Sequence, residues 1–450
     1  MSNVALTVAK FGGTSVADHP AMLRCAQIIK SQPETRLVVV SASAGVTNHL
    51  VTLSQQLLSL EERSDIIENI RTIQKNITQH LADEESLNVQ IEDVLSHLTD
   101  LATQQNTLQT AQIGDAILSC GEQMSSILFA AVLRSIDVNG AAFDVRDVMR
   151  TNSLYGKAVV DLDELSSNCE QLLSPLLAEQ VIVTQGFIGR DGLGNTTTLG
   201  RGGSDYSAAL LAEATRATNL AIWTDVVGIF TTDPRIASSA RAIPEISFGE
   251  AAEMATFGAK ILHPATLIPA MRSSIPVFVG SSREPEAGGT QIRQQVDSKP
   301  TYRSIAVRKE QTLVTVKSPA TLHASGFLAK VFSILAKHEL SVDLITTSEI
   351  SVALTFDNPT GSTQALINKA VVEELEQLCE VSVEHGLSLI AIVGNGLDRS
   401  SGLGSSIFNN IEDINIRLIC HGASANNLCF LVNENDANNV VETLHDKLFV

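Results

Sequence analysis

Three times before residue 215 the chain passes from an apolar, strand-like run through glycines or small residues into a helix-forming segment. Val4–Ala9 leads into Lys10-Phe11-Gly12-Gly13-Thr14-Ser15 and a helix beginning near Asp18 or His19. Leu37–Val40 leads into Ser41-Ala42-Ser43-Ala44-Gly45 and a helix around His49–Leu60. Val181–Ile188 is followed, after a short polar stretch, by Thr196-Thr197-Thr198-Leu199-Gly200-Arg201-Gly202-Gly203-Ser204-Asp205-Tyr206-Ser207 and the apolar segment Ala208–Ala214. Strands that alternate with helices cannot close as tight hairpins. Each must cross over to lie parallel to its neighbour, which predicts an α/β fold with a mainly parallel sheet between helices. Ligands of such sheets bind outside the carboxyl ends of the strands, where all three small-residue segments fall.

The third segment carries the most chemistry. Gly200, Gly202 and Gly203 let backbone approach a ligand closely, and Ser204 or Asp205 is expected to cap the helix that follows. A helix start behind glycines favours anions, and Arg201 adds a two-pronged donor for carboxylate or phosphate. Asp205 is the odd member, because a carboxylate beside an anion site is repulsive unless a metal or a lysine stands between them. The first segment offers Lys10 at a strand end with Gly12 and Gly13, in a spacing that is neither the Rossmann nor the Walker pattern. Ser41, Ser43 and Thr47 add hydroxyl and backbone donors. Taken singly, each segment reads equally well as a turn or a helix cap.

Asn219–Arg235 reads as a buried strand ending in Thr224-Asp225, a glycine turn and a polar segment fixed by Pro234. Phe230, Asp225 and Arg235 would suit a nucleotide as aromatic wall, polar anchor and phosphate cation. Helices are expected over 248–257 and 264–272, with Lys260 between them. Ala111–Arg134 is an apolar helical pattern broken by Ser119–Gln123, in which Glu122 is either a surface residue or a cleft carboxylate for an ammonium group. Residues 61–109 read as a solvated helical excursion with little chemistry.

The chain has 450 residues, which predicts two or three domains, and a net charge of −19, which disfavours nucleic acid and anionic membranes as partners. Its six cysteines are scattered without a C-x-x-C pair, as expected of buried thiols in a reducing compartment. No secretory signal and no membrane span are read from the sequence, so a cytoplasmic location is expected.

Residues 281–300 are rich in Gly, Pro, Ser and charge and mark a boundary. Beyond it the order becomes βαββαβ over 312–384, the ferredoxin-like arrangement, and a second copy begins at Leu387. That copy ends one strand short. Ser304–Arg308, stranded ahead of the first copy, is predicted to complete it. The expected domains are 1–295, a linker and completing strand over 296–311, and units over 312–385 and 386–450.

No Ser–His–acid arrangement and no metal-spaced His/Cys cluster is present, whereas lysines at glycine-bounded helix starts suit phosphoryl transfer to a small anionic substrate. Lys10–Val16, Thr198–Ser207 and Thr231-Thr232-Asp233-Pro234-Arg235 closely resemble the aspartate kinases of the amino-acid kinase family, and the tail resembles that family's paired ACT domains. Ser341–Glu349 and Gly326-Phe327-Leu328 look most like its lysine-sensitive bacterial members. The resemblance implies ATP and L-aspartate as substrates, 4-phospho-L-aspartate as product, and entry to lysine, threonine and methionine synthesis. By the family pattern Lys10 and Asp205 are catalytic, and Thr47, Glu122, Arg201 and Ser204 bind the substrate. Lys10, Gly12, Gly13, Thr224, Asp225, Phe230, Arg235 and Lys260 would hold the nucleotide, with Mg²⁺ arriving on ATP. Phe230 stands where tyrosine is expected, so its contribution is packing. L-Lysine as effector would meet Thr321, Ala324, Phe327, Leu328, Ser341, Val342, Asp343, Thr347, Ser348 and Glu349. A homodimer through the ACT domains, or a tetramer, is implied. The alternatives are another kinase of this family, or an amino-acid sensor with a dead kinase core.

Overall fold

The structure is a computed structural model and describes residues 5–258, 262, 264–317, 326–357 and 366–449. Its contacts form two compact units, Met1–Ile229 with Ala242–Phe248 and Ile261–Val296, and Phe230–Arg241 with Gly249–Lys260 and Asp297–Val450. The expected division at residue 295 is therefore crossed by two stretches that count with the second unit. The reason is bonding between segments distant in sequence. Ile305 N donates to Thr231 O at 2.7 Å, and Arg303 pairs with Glu250 at 2.7 Å, both side chains being nearly sealed from water.

The first unit runs β1 (Thr7–Phe11), α1 (His19–Ser31), β2 (Thr35–Val40), α2 (Val46–Gln55), α3 (Leu60–Thr78), α4 (Glu84–Leu108), α5 (Ala111–Ser135) and β3 (Gly140–Phe143). There follow β4 (Arg150–Thr151), α6 (Leu162–Asn168), α7 (Ser174–Glu179), β5 (Val181–Gln185), β6 (Ile188–Asp191), β7 (Thr196–Thr198), α8 (Gly203–Ala214) and β8 (Asn219–Thr224). It ends with β9 (Glu245–Ser247), α9 (Phe248–Thr256, which runs on into the second unit), α10 (Pro264–Arg272), β10 (Val277–Ser281) and β11 (Gly289–Arg293). Eight strands form one sheet in the order β3-β5-β2-β1-β8-β10-β11-β9, parallel from β3 through β10. All five residues of β1 are buried, as a central parallel strand covered on both faces requires. Because β5, β2, β1 and β8 run the same way side by side, their carboxyl ends share one edge. A small sheet of β4, β6 and β7 carries the approach to the glycine-rich segment.

The helical excursion is less solvated than expected. In α3 and α4 every third or fourth residue (Ile67, Ile70, Ile77, Leu87, Ile91, Leu95, Leu98) is buried in the main core, the stripe of an amphipathic helix. One helix among the described residues, α5, is long and apolar enough to cross a membrane by length and composition alone. It is enclosed by protein instead, packed through Ile117, Met124, Leu128 and Phe129.

The second unit contains β12 (Tyr302–Lys317), α11 (Phe327–Lys337), β13 (Ile345–Thr347), β14 (Ser351–Asp357), α12 (Lys369–Glu376) and β15 (Glu380–Gly394). It continues with α13 (Leu403–Phe408), β16 (Leu418–His421), β17 (Asn427–Asn433) and α14 (Glu434–Leu448). Its sheet has the order β13-β14-β12-β15-β17-β16. The two long strands serve both ferredoxin-like halves. Residues 311–317 of β12 pair with β14 and with 380–384 and 387 of β15, while 304–308 pair with 389–393. The register slips between Arg308 and Gln311 and again before Leu313, dividing one half from the other. Each half has its own core, Val314, Val331, Leu354 and Leu375 in one and Ile305, Ile390, Phe430 and Val440 in the other. β13 is short, but bonding to β14 begins ahead of it, Asp343 N donating to Thr355 O at 2.9 Å and Leu344 O accepting Thr355 N at 3.0 Å.

Candidate active site

The site in the first unit begins where β1 ends. Lys10 faces β2 and β8 in register with Val39 and Ile222, and Gly12 N donates to Trp223 O at 3.3 Å. The loop after β2 is drawn against the loop after β1. Ser41 N donates to Phe11 O and Ala44 N to Gly13 O, each at 3.1 Å. A Cβ on Gly13 would stand 2.9 Å from Ala42 O, so only glycine lets the two loops touch.

Lys10 Nζ lies 2.5 Å from Asp205 Oδ1, with side chains only 11% and 17% exposed. The lysine needed to justify a carboxylate in an anion loop is thus supplied by the opposite end of the unit's sequence. Asp205 lies in the first turn of α8, but neither it nor Ser204 caps that helix as expected. Gly202 holds the N-cap with φ 72°, a left-handed conformation for which glycine is suited, and Asp205 turns to Lys10.

The third wall comes from α5. Glu122 is buried, with 6% exposure, and burial pushes its carboxyl up to about 8, against the Ala42 backbone N–H and the Lys10 charge, which both favour ionisation. Ser125 Oγ, one turn on, donates to Ser41 O at 2.8 Å, and a Cβ on Gly121 would stand 2.6 Å from Ala42 Cβ. The glycine that looked disruptive in this helix is what lets it lie against the small-residue loop. Ser43 Oγ is buried without a hydrogen-bond partner among the described residues, and Thr47 is exposed in the first turn of α2. Arg201 is exposed at the crest of the glycine turn, between Gly200 at φ 81° and Gly202. On the β8 side Thr224 Oγ1 donates to Asp225 at 3.2 Å, and Thr224 O receives Ser282 N at 2.8 Å. The arrangement offers a cation held by an acid, a carboxyl matched to an ammonium group and free donors for anions, all within one unit.

The amino acid kinase model matches residues 5–281, and a model of the ACT domain matches residues 390–448. Lysine-sensitive aspartokinase 3 of Escherichia coli is 52% identical over 447 residues, 99% of each chain. The chain belongs to the amino acid kinase family. Two solved structures of E. coli aspartokinase III are similar throughout. One, in complex with aspartate and ADP in the R-state, is 51% identical, covers 99% of this chain and 100% of that one, and gives a TM-score of 0.91. The other, in complex with lysine and aspartate in the T-state, is 52% identical with the same coverage and a TM-score of 0.85.

The remaining residues expected of an amino acid kinase with ACT domains fall in the second unit. Phe230 is half-buried there, and the exposed Arg235 is held by Asp233 of its own turn at 2.6 Å. Lys260, Thr321 and Ala324 lie outside the described residues. Phe327 is buried in the core of the first ACT half, while Leu328 is exposed at 42%. Asp343, beside Ser341 and the half-buried Val342, is already partnered, its Oδ2 lying 2.8 Å from Arg308 Nη2. Burial nevertheless lifts the Asp343 carboxyl above its ordinary range. Thr347 ends β13, Ser348 closes the turn to Ser351 (Oγ to Oγ 2.7 Å), and Glu349 is exposed.

Proposed function

We propose that the chain transfers the γ-phosphoryl group of ATP to the side-chain carboxylate of L-aspartate, giving 4-phospho-L-aspartate and ADP, and that L-lysine inhibits it. The observation that carries this reading is the Lys10–Asp205 pair beside the buried Glu122 carboxyl. A substrate carboxylate oxygen attacks the γ-phosphorus, the bond to the β,γ-bridging oxygen breaks, and ADP leaves with that electron pair. A side-chain carboxylate with a pKa of about 4 is already ionised at neutral pH, so no general base and no covalent intermediate are needed. Lys10 neutralises charge on the phosphoryl oxygens in flight, and Asp205 keeps the ammonium group aimed. Glu122 receives the substrate ammonium, Arg201 a substrate carboxylate, and Ser204 and Thr47 add hydroxyl donors.

The Gly12 and Gly13 backbone, Thr224 and Asp225 serve the nucleotide, to which the family pattern adds Phe230, Arg235 and Lys260. Mg²⁺ would arrive with ATP, beside the residues that serve the nucleotide, and would help neutralise charge on the phosphates. Among the described residues no group of three or more His, Cys, Asp or Glu is placed to hold a metal ion. Lysine binds the first ACT half at Phe327, Leu328, Ser341–Asp343 and Thr347–Glu349, with Thr321 and Ala324. The exposed apolar side chains Leu328, Phe332, Ile345, Ile350 and Ile419 favour association of ACT units with those of a second copy. The working compartment is the cytoplasm.

A coupled assay of ADP release tests the reading. Release should require both Mg·ATP and L-aspartate and should fall in millimolar L-lysine. No turnover on aspartate would leave only an amino-acid sensor, and inhibition by threonine without lysine would reassign the effector.

A further inference from the structure

Seven residues before Glu122, and so two turns back on the same face of α5, stands Asp115, an acid with 3% exposure. Its Oδ2 accepts Thr198 N at 2.7 Å and Gly156 N at 2.9 Å, and its Oδ1 accepts Thr198 Oγ1 at 2.8 Å. Burial still lifts the carboxyl above its ordinary range. An acid is costly at such a place unless the bonds it makes are needed.

What the bonds join is specific. Thr198 ends β7, three residues before Arg201, and Gly156 belongs to a separate loop preceding α6. The two segments touch elsewhere as well. Ala158 N donates to Thr198 O at 2.9 Å, and a Cβ on Gly200 would stand 3.0 Å from Gly156 O. On its other side the glycine turn is fixed by Leu199 N to Phe187 O at 2.9 Å and Gly203 N to Gly200 O at 3.0 Å. Arg201 itself forms no ion pair with any described residue. Its guanidinium is aimed only by the backbone on which it rides.

We propose that Asp115 is a positioning residue for the amino-acid substrate, stapling the base of the Arg201 turn to the helix that carries Glu122. The distance between the carboxylate-binding arm and the ammonium-binding carboxyl is then set by one rigid helix. This rests on the substrate roles given above to Arg201 and Glu122, and a misplacement of such an arm by about 1 Å costs on the order of a hundredfold.

The staple needs acceptors for two N–H groups and a partner for the Thr198 hydroxyl, not a charge. An asparagine can keep its amide oxygen on both N–H groups and donate its amide nitrogen to the Thr198 hydroxyl, which reverses from donor to acceptor. The steady-state kinetics of the full-length enzyme with Mg·ATP therefore separate the possibilities. Asp115→Ala should raise KM for aspartate about ten- to hundredfold with KM for ATP within about threefold of the parent. Asp115→Asn should restore KM for aspartate to within about threefold. Should Asp115→Ala not accumulate as folded protein, Thr198→Val, which removes only the hydroxyl bond, should raise KM for aspartate severalfold and leave that for ATP alone. An unchanged KM for aspartate in Asp115→Ala, or in Thr198→Val where the alanine variant does not fold, overturns the proposal. So does an Asp115→Asn enzyme as impaired as the alanine variant, since that would make the charge itself the requirement. Arg201→Ala is the control on the substrate assignment. If it leaves KM for aspartate unchanged, the role of Arg201 fails, and that failure is read independently of Asp115.

Discussion

Lys10 and Asp205 approach to 2.5 Å with little water between them and the protein. The pair is close to neutral as a unit, so an incoming phosphate meets a directed ammonium group rather than a surplus of positive charge. Removing the lysine deletes the cation and also leaves a carboxylate facing the phosphoryl oxygens. Lys10→Ala is therefore expected to lower kcat by about a thousandfold while KM for aspartate changes little, and near-normal turnover would remove Lys10 from the chemistry. Glu122 gives a second test. Burial that pushes the Glu122 carboxyl up to about 8 favours its protonated form at pH 7, so if Glu122 receives the substrate ammonium as proposed, aspartate must displace that proton. Aspartate binding should release a proton at pH 7, seen by calorimetry in buffers of different ionisation enthalpy. KM for aspartate should fall as pH rises toward 8 and level off above it, and Glu122→Gln should flatten that profile. The same shift has a sign for stability. A carboxyl raised above its ordinary value contributes fully below that value and loses the contribution as pH climbs through about 8. These three residues were legible in the sequence because each sat oddly: an acid in an anion loop, a glutamate in an apolar helix, a lysine at a strand end. Asp115 was not, since an acid in the second turn of a helix reads as an ordinary partner of the helix dipole.

Elements show where sequence patterns mislead. The glycine turn before α8 was recognisable, but its cap was not. A serine and an aspartate at a helix start ordinarily cap it, and only the positive φ at Gly202 and the pull of Lys10 decide otherwise. The polar surface of α3 and α4 hid a buried stripe, because their mean composition is hydrophilic while their apolar residues recur at helical spacing. In the second unit Arg308 sits at the register slip of β12, bound to Asp343 at 2.8 Å and donating to Thr256 O at 3.3 Å. On the proposed lysine site, an effector ammonium approaching Asp343 must compete with that guanidinium. Arg308→Ala should then shift inhibition to lower lysine concentrations, by about three- to tenfold, since a partly buried pair of this kind is worth on the order of 1 kcal/mol. The half-inhibiting lysine concentration, measured at saturating aspartate and ATP, checks it. An unchanged or higher value would mean that Arg308 does not guard the site.

Across the whole molecule the order of elements was readable, and the missing strand of the second ferredoxin-like copy pointed to Ser304–Arg308. What the sequence concealed is that one strand serves both halves without a break, and that segments 230–241 and 249–260, within the kinase family's match, pack with the second unit. Neither could be read locally, because both depend on partners such as Glu250 with Arg303, and Thr231 with His445 at 2.8 Å, that lie far apart along the chain. The continuous strand has a consequence for folding. A fragment beginning at residue 312 keeps the first half's strand over 312–317 but strips β15 of its partner along 389–393. It exposes one side of Leu389, Ile390, Ala391, Ile392 and Val393, all fully buried in the intact chain. It also loses Ile305 from the second core. A bare edge in the middle of a sheet is both a lost ladder and an aggregation template. A fragment of residues 297–450 should therefore unfold in urea with a single cooperative transition, whereas 312–450 should either show none or precipitate. Equal cooperativity of the two would mean that β12 does not complete the second half, and that 389–393 find their partner elsewhere.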